Sequence, residues 1–263
     1  MSAITSRQNP IVARFRAAAN HQTGGHLLLD GAHLVAEALG SGIRVREAAV
    51  VNMDSNHTEV AALTDRLRRL DVPVATVSAM VMTALSPVRS ASPIVAIAER
   101  PSADPTLMYG GTPLVLIALD VQDPGNLGAI VRVAEAGGAS GVVCAGASAD
   151  PFGWKALRGS MGSSLRLPTR SERDSEAAID EARRRGCRIV AAAPRDGRLL
   201  FDTDLRGPVA LLIGSEGPGL TRSQLDSADE RVVIPMAAPV ESLNAAVSAA
   251  LIVYEARRQR SRP

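Results

Sequence analysis

Residues 113–146 read PLVLIALDVQDPGNLGAIVRVAEAGGASGVVCAG, and the order of signals in this stretch decides the fold class. Leu114–Leu119 is a continuous apolar run of strand length, followed by turn chemistry at Asp123, Pro124, Gly125 and Asn126. From Leu127 the apolar positions recur at helical spacing, and Gly137 and Gly138 stop the helix. A second apolar run, GVVCAG, follows at once. Strand, helix and strand, with strands apolar on both faces, make one unit of a parallel sheet covered by helices on each side.

The same alternation continues toward the C-terminus. EAAIDEARRRG predicts a helix stopped by Gly186, and CRIVAAA and PVALLIG predict strands. TRSQLDSAD predicts a short helix, RVVIPM a last strand, and a terminal helix begins at Leu243 with Val247, Leu251 and Tyr254 on one face. Toward the N-terminus, residues 98–113 (AERPSADPTLMYGGTP) hold three prolines and two adjacent glycines, which predicts a linker over 101–113. The expected organisation is a smaller α/β domain at 1–100 and a parallel α/β domain at 114–263. In the first, HLLLDGAHLVAEALGSGIRVREAAVV and HTEVAALTDRLRRLDVPVATVS alternate strands with helices. Arg7, Arg14 and Arg16 precede it; Arg66, Arg68 and Arg69 sit on its second helix, where a solvated face is the ordinary explanation.

Composition narrows the function classes. Hydrophobic residues make up 46%, yet the longest apolar runs are too short to span a bilayer, and MSAITSRQNPIVARFR lacks the apolar core of a signal peptide. Cytoplasm is the expected location. Cys144 and Cys187 are isolated within apolar stretches and read as buried strand residues. His21, His26, His33 and His57 have no metal-ligand spacing, so no metal is expected. All of the 29 basic residues except Lys155 are arginine, a planar fork suited to phosphate, although the net charge is only +2. Aromatics at 2% do not support a base-stacking platform.

In parallel sheets ligands bind at the carboxyl ends of strands, and three strand ends here are unusual. After the first, Asn126 reads as a helix cap or a site residue. Arg132 interrupts the apolar AIVRVAEA, either snorkelling to the surface or held near an anionic substrate. After PVALLI, Gly214, Gly217 and Gly219 surround Ser215 and Glu216. This is neither GxGxxG nor a P-loop, and a central carboxylate suits a cationic or donor-rich ligand better than phosphate. After RVVIPM, AAPVESLN leads into the terminal helix, with Glu241 and Ser242 at its start and small Ala245, Ala246, Ala249 and Ala250 along one side.

In this order, NLGAIVR, LLIGSEGPGL and VVIPMAAPVESLNAAVSAALIVYE closely resemble the SpoU (TrmH-type) family of RNA ribose methyltransferases. ITSRQNPIVARFR and HLLLDGAHLVAEAL resemble that family's N-terminal RNA substrate-binding domain, similar to a ribosomal-protein fold. The resemblance implies a C-terminal α/β trefoil-knot (SPOUT-type) domain, S-adenosylmethionine as cofactor, structured RNA as substrate, and a homodimer. It implies rRNA, 23S above all, over tRNA. The family pattern puts the catalytic arginine at Arg132 with Asn126, and Glu216, Ser242 and Asn244 on the remaining polar positions. The implied cofactor-binding residues are Leu212, Ile213, Gly214, Glu216 and Gly217, then Ile234, Met236, Ser242 and Leu243. One departure is Ala238, where the family often has glycine two residues after the methionine. A non-catalytic RNA-binding or assembly factor is the alternative of a different class. A Rossmann-type enzyme lacks its glycine signature here.

Overall fold

The computed structural model describes residues 3–20, 24–51 and 58–261, so His21 and His57 lie outside it. The chain forms two compact units, Met1–Pro101 with Phe152–Leu165, and Ser102–Pro151 with Arg166–Pro263.

The first unit contains α1 (Pro10–Ala19), β1 (His26–Asp30), α2 (Ala32–Gly40), β2 (Val45–Val51), α3 (Thr58–Arg69), β3 (Val74–Val77), α4 (Ala79–Leu85) and β4 (Ile94–Glu99). Its four-stranded sheet has the order β1-β4-β2-β3. β4 runs antiparallel to both neighbours, whereas β2 and β3 are parallel. Alternate residues of β1 feed opposite cores: Leu27 and Leu29 join α2 and α3, and Leu28 joins α1 and α4. The basic residues expected ahead of this domain belong to it. Arg14 forms a two-bond ion pair with Glu47 of β2, and Arg16 donates to the Ala84 carbonyl.

The second unit contains α5 (Pro105–Tyr109), β5 (Leu114–Leu119), α6 (Pro124–Gly137) and β6 (Gly141–Ala145). The chain then contributes α7 (Trp154–Ser160) and most of α8 (Ser163–Arg166) to the first unit, where Phe152, Leu157 and Leu165 enter the core beside α2. It continues as β7 (Thr169–Glu172), α9 (Ser175–Arg184), β8 (Arg188–Ala193), β9 (Arg198–Leu199), β10 (Val209–Ile213), α10 (Arg222–Asp226), β11 (Glu230–Val233) and α11 (Ala245–Arg260). Two expectations are corrected. The segment read as a linker carries α5, capped by Asp104, and its Met108 is buried against β5 and β6 residues. Residues 152–165, placed in the second domain, cluster with the first.

The seven-stranded sheet, β7-β6-β5-β10-β8-β11-β9, is parallel throughout. Leu114, Leu116 and Ala118 of β5 face the core under α6 and α11, and Val115, Ile117 and Leu119 face the opposite core with α9. Cys144 is buried within β6; Cys187 is buried one residue ahead of β8. The chain runs outward from β5 through β6 to β7, then returns so that β10 inserts between β5 and β8. The β5/β10 boundary is therefore the switch point, where loops leaving the carboxyl ends diverge and open a crevice.

Candidate active site

Helix α6 begins with Asp123 as its N-cap, the carboxylate accepting from the Asn126 backbone N–H at 2.8 Å, and with Pro124 in the first turn. The capping role open to Asn126 is thus filled three residues earlier. Its side chain is released to donate to Glu216 Oε1 across the switch point.

The terminal helix starts two residues later than its apolar spacing predicts, and its cap is Asn244, not Ser242. Asn244 Oδ1 accepts from the backbone N–H groups of Ala246 and Val247 at 2.8 and 3.3 Å. That fixes the amide orientation and turns Nδ2 toward Asn126 Oδ1 at 3.1 Å and Glu216 Oε1 at 2.8 Å. Three residues from three strand ends, up to 118 positions apart, form one polar cluster.

A cavity of about 580 Å³ opens beside the cluster. The loop Gly214–Leu220 and the stretch from Ile234 to Asn244 wall it, and Ala192–Pro194 close the end after β8. Ile213, Gly214, Glu216, Gly217, Ile234, Met236, Ser242 and Leu243 all line it. Leu212 does not; it points into the opposite core because strand side chains alternate. A Cβ on Gly214 would lie 2.5 Å from the Gly219 carbonyl carbon and the Leu220 nitrogen, so any side chain there would collide with backbone. Ala238 does not adopt a positive φ, so alanine fits where glycine is frequent in the family.

A second cavity of about 420 Å³ lies between the β5 loop and the β10 loop, lined by Asp120, Asp123, Ser215, Glu216 and Thr221 among others. Asp120 and the β8 end at Ala192–Pro194 carry no motif. The strand-end rule applied to LIALD and IVAAAP is the one sequence signal for them.

Arg132 is not among the residues lining either cavity. It is exposed on α6, six residues and about 9 Å along the axis from Asn126, and its side chain makes no hydrogen bond or ion pair among the described residues. Beside it, α11 packs on α6 through a tight contact, where a Cβ on Gly137 would overlap Val253. The inward side of α11, with Ala245, Ala246 and Ala249, is buried; its outward side leaves Val247, Leu251 and Tyr254 each more than two-fifths exposed. Among the described residues no helix is long and apolar enough to cross a membrane, and no group of His, Cys, Asp and Glu could hold a metal ion.

Residues 113–254 match the model of the SpoU rRNA methylase family. A tRNA/rRNA methyltransferase of Synechocystis sp., itself uncharacterised, is 34% identical over 98% of this chain and 94% of its own length. The 23S rRNA (guanosine(2553)-2′-O)-methyltransferase RlmP of Bacillus subtilis is 30% identical over 88% of each chain. Among solved structures, the SpoU methyltransferase AviRb of Streptomyces viridochromogenes, crystallised with AdoMet, superposes with a TM-score of 0.85 at 30% identity, over 96% of this chain and 98% of that one.

Proposed function

The chain belongs to the SpoU rRNA methylase family, and on that premise we propose that it transfers a methyl group from S-adenosylmethionine to a ribose 2′-hydroxyl of structured RNA, with 23S rRNA as the substrate. The observation that carries the assignment to this site is the convergence of Asn126, Glu216 and Asn244 on the rim of the cavity.

The residues present fit the cofactor. The volume lies in the range of small-molecule pockets. Ile213, Ile234, Met236 and Leu243 offer apolar surface for a base and ribose, the glycine loop offers backbone groups at close range, and Glu216 places a carboxylate where a cationic ligand would sit. When bound, S-adenosylmethionine supplies a methyl already activated by a sulfonium.

What remains for the protein is to place the ribose hydroxyl and manage its proton. Arg132 is a poor base, since its guanidinium presents N–H donors and no acceptor. We assign it the electrostatic role: it clamps the neighbouring phosphate and stabilises negative charge developing on the 2′-oxygen, with the proton passing to phosphate or water. Asn126 and Asn244 hold Glu216 in place, and Ser242 faces the same cavity.

Because Arg132 stands outside the cavities of its own chain, the active form is read as a homodimer in which it serves the partner's site. The exposed stripe Val247, Leu251 and Tyr254 next to α6 supports that reading. The knotted path, with 234–244 threaded through the loop after β10, is supported by both stretches lining one cavity. The first unit is read as the RNA substrate-binding domain and the cytoplasm as the location.

Purified protein incubated with labelled S-adenosylmethionine and with rRNA or tRNA tests the proposal. Ribose methylation mapped to one nucleotide of 23S rRNA is expected. Methylation confined to tRNA would move the substrate, and none on any RNA would leave a binding or assembly factor.

A further inference from the structure

The first unit carries a groove that the sequence alone disguises. Arg66, Arg68 and Arg69 read together as one solvated helix face, but the structure separates them. Arg68 turns aside to an ion pair with Asp65 at 3.5 Å. Arg66 and Arg69, three apart on α3 and therefore on one side of it, line a groove of about 590 Å³. The other lining segment is the start of β2, where Arg44 and Arg46 flank buried Val45 and both line the groove. Ile43 and Val72, both packed against the core, form the apolar floor.

The charge is concentrated. Four guanidinium groups line the groove against one lining carboxylate, Asp71, in a chain whose net charge is only +2. Arg46 is tied to Glu99 of β4, and Arg66 reaches the Leu39 carbonyl at 3.3 Å. The side chains of Arg44 and Arg69 have no hydrogen-bond or ion-pair partner among the described residues. Four like charges on one groove repel one another and are tolerable when solvated or when an anion enters between them. Their planar forks match phosphate oxygens in pairs. Aromatic side chains are absent from the lining, so stacking on bases contributes nothing.

We infer that this groove holds the sugar-phosphate backbone of the RNA substrate, reading charge and not sequence, and so anchors RNA at a place separate from the cavity where the methyl is transferred. The inference rests on the proposed RNA methyltransferase activity.

The test compares single and combined variants of the full chain, with a fluorescein-labelled RNA hairpin as the binding probe and labelled methyl transfer to rRNA as the activity. Arg69→Ala is expected to weaken hairpin binding severalfold, while Arg68→Ala, the same charge change on the same helix, is neutral. The triple variant Arg44→Ala/Arg66→Ala/Arg69→Ala is expected to lose about 10- to 100-fold in affinity and to flatten the dependence on salt, by about 0.7–0.9 in the log–log slope for each phosphate no longer neutralised. Its KM for rRNA should rise with kcat kept, its affinity for S-adenosylmethionine should match wild type, and an unchanged circular-dichroism spectrum and thermal unfolding curve show that the first unit is folded. Equal losses from Arg68→Ala and Arg69→Ala, or a triple variant with wild-type affinity and slope, would overturn the groove while leaving the activity standing. Wild-type protein that methylates no RNA, yet binds the hairpin through these arginines, would instead remove the methyltransferase reading and keep the groove.

Discussion

The first turn of α11 and the outward face of the same helix end in opposite states. At the first turn Asn244 has its carbonyl spent on two backbone N–H groups and its amide on Asn126 and Glu216, so every polar group finds a partner inside the chain. One to three turns on, Val247, Leu251 and Tyr254 meet solvent, and nearby α6 presents Arg132 without a partner among the described residues. On the proposed reading, one chain completes the cofactor side of the site and leaves the acceptor side to a second copy. That reading makes the exposed stripe one half of a self-complementary interface.

The largest expected effect tests that division. Arg132→Ala should lower kcat by about 10²–10³-fold, the loss typical of one transition-state charge stabiliser, with S-adenosylmethionine binding unchanged by calorimetry. Mixing it with Glu216→Ala, itself inactive, should restore about a quarter of wild-type activity, because half the dimers pair one of each and hold one intact site. Continued inactivity after subunit exchange, verified by mass, would place the arginine in its own chain's site and break the comparison.

Leu251→Glu comes next. A charge in the stripe should convert the dimer to monomer in sedimentation and remove most methyl transfer, while the isolated chain still binds S-adenosylmethionine. A monomeric wild type, or a dimer unaffected by Leu251→Glu, would mean that the stripe serves another surface. Gly214→Ala acts on the completed side. Its new Cβ meets backbone at 2.5 Å, and relieving that overlap should cost about 1–3 kcal/mol, read as a weaker affinity for S-adenosylmethionine with the dimer intact.

Much of this was legible from the residues. The inner strands β5, β6, β8 and β10 announce themselves as apolar runs because both faces are buried, whereas the polar edge strands β7 and β9 do not, and Gly138 and Gly186 stop helices where their positive φ requires it. No element is assigned from sequence to serine-rich RGSMGSSLR, yet it forms parts of α7 and α8 with Ser160, Ser163 and Ser164 buried. Its polarity hides a helical segment whose core partners lie over a hundred residues upstream. Ile94–Glu99 is an apolar run like the others, but nothing local says that β4 pairs antiparallel between β1 and β2. The candidate site residues were proposed through their order along the chain. Their contacts were not, because Asn126 and Asn244 meet only after β10 has inserted beside β5, and Asp123 took the cap that Asn126 was equally able to fill.

The smallest effect separates two duties held by Asn244. Replacement by alanine removes both the helix cap and the bonds to Asn126 and Glu216, and capping alone is worth about 1 kcal/mol. Serine restores the cap, since its hydroxyl accepts from the same N–H groups, but is too short to reach Glu216. Thermal unfolding of Asn244→Ser should therefore stay within about 2 °C of wild type, whereas Asn244→Ala falls by about 2–4 °C. Both variants should lose S-adenosylmethionine affinity alike, because both free Glu216 from Asn244. If serine recovered affinity as well as stability, the asparagine would matter only as a cap, and the polar cluster would be a by-product of how the helix begins.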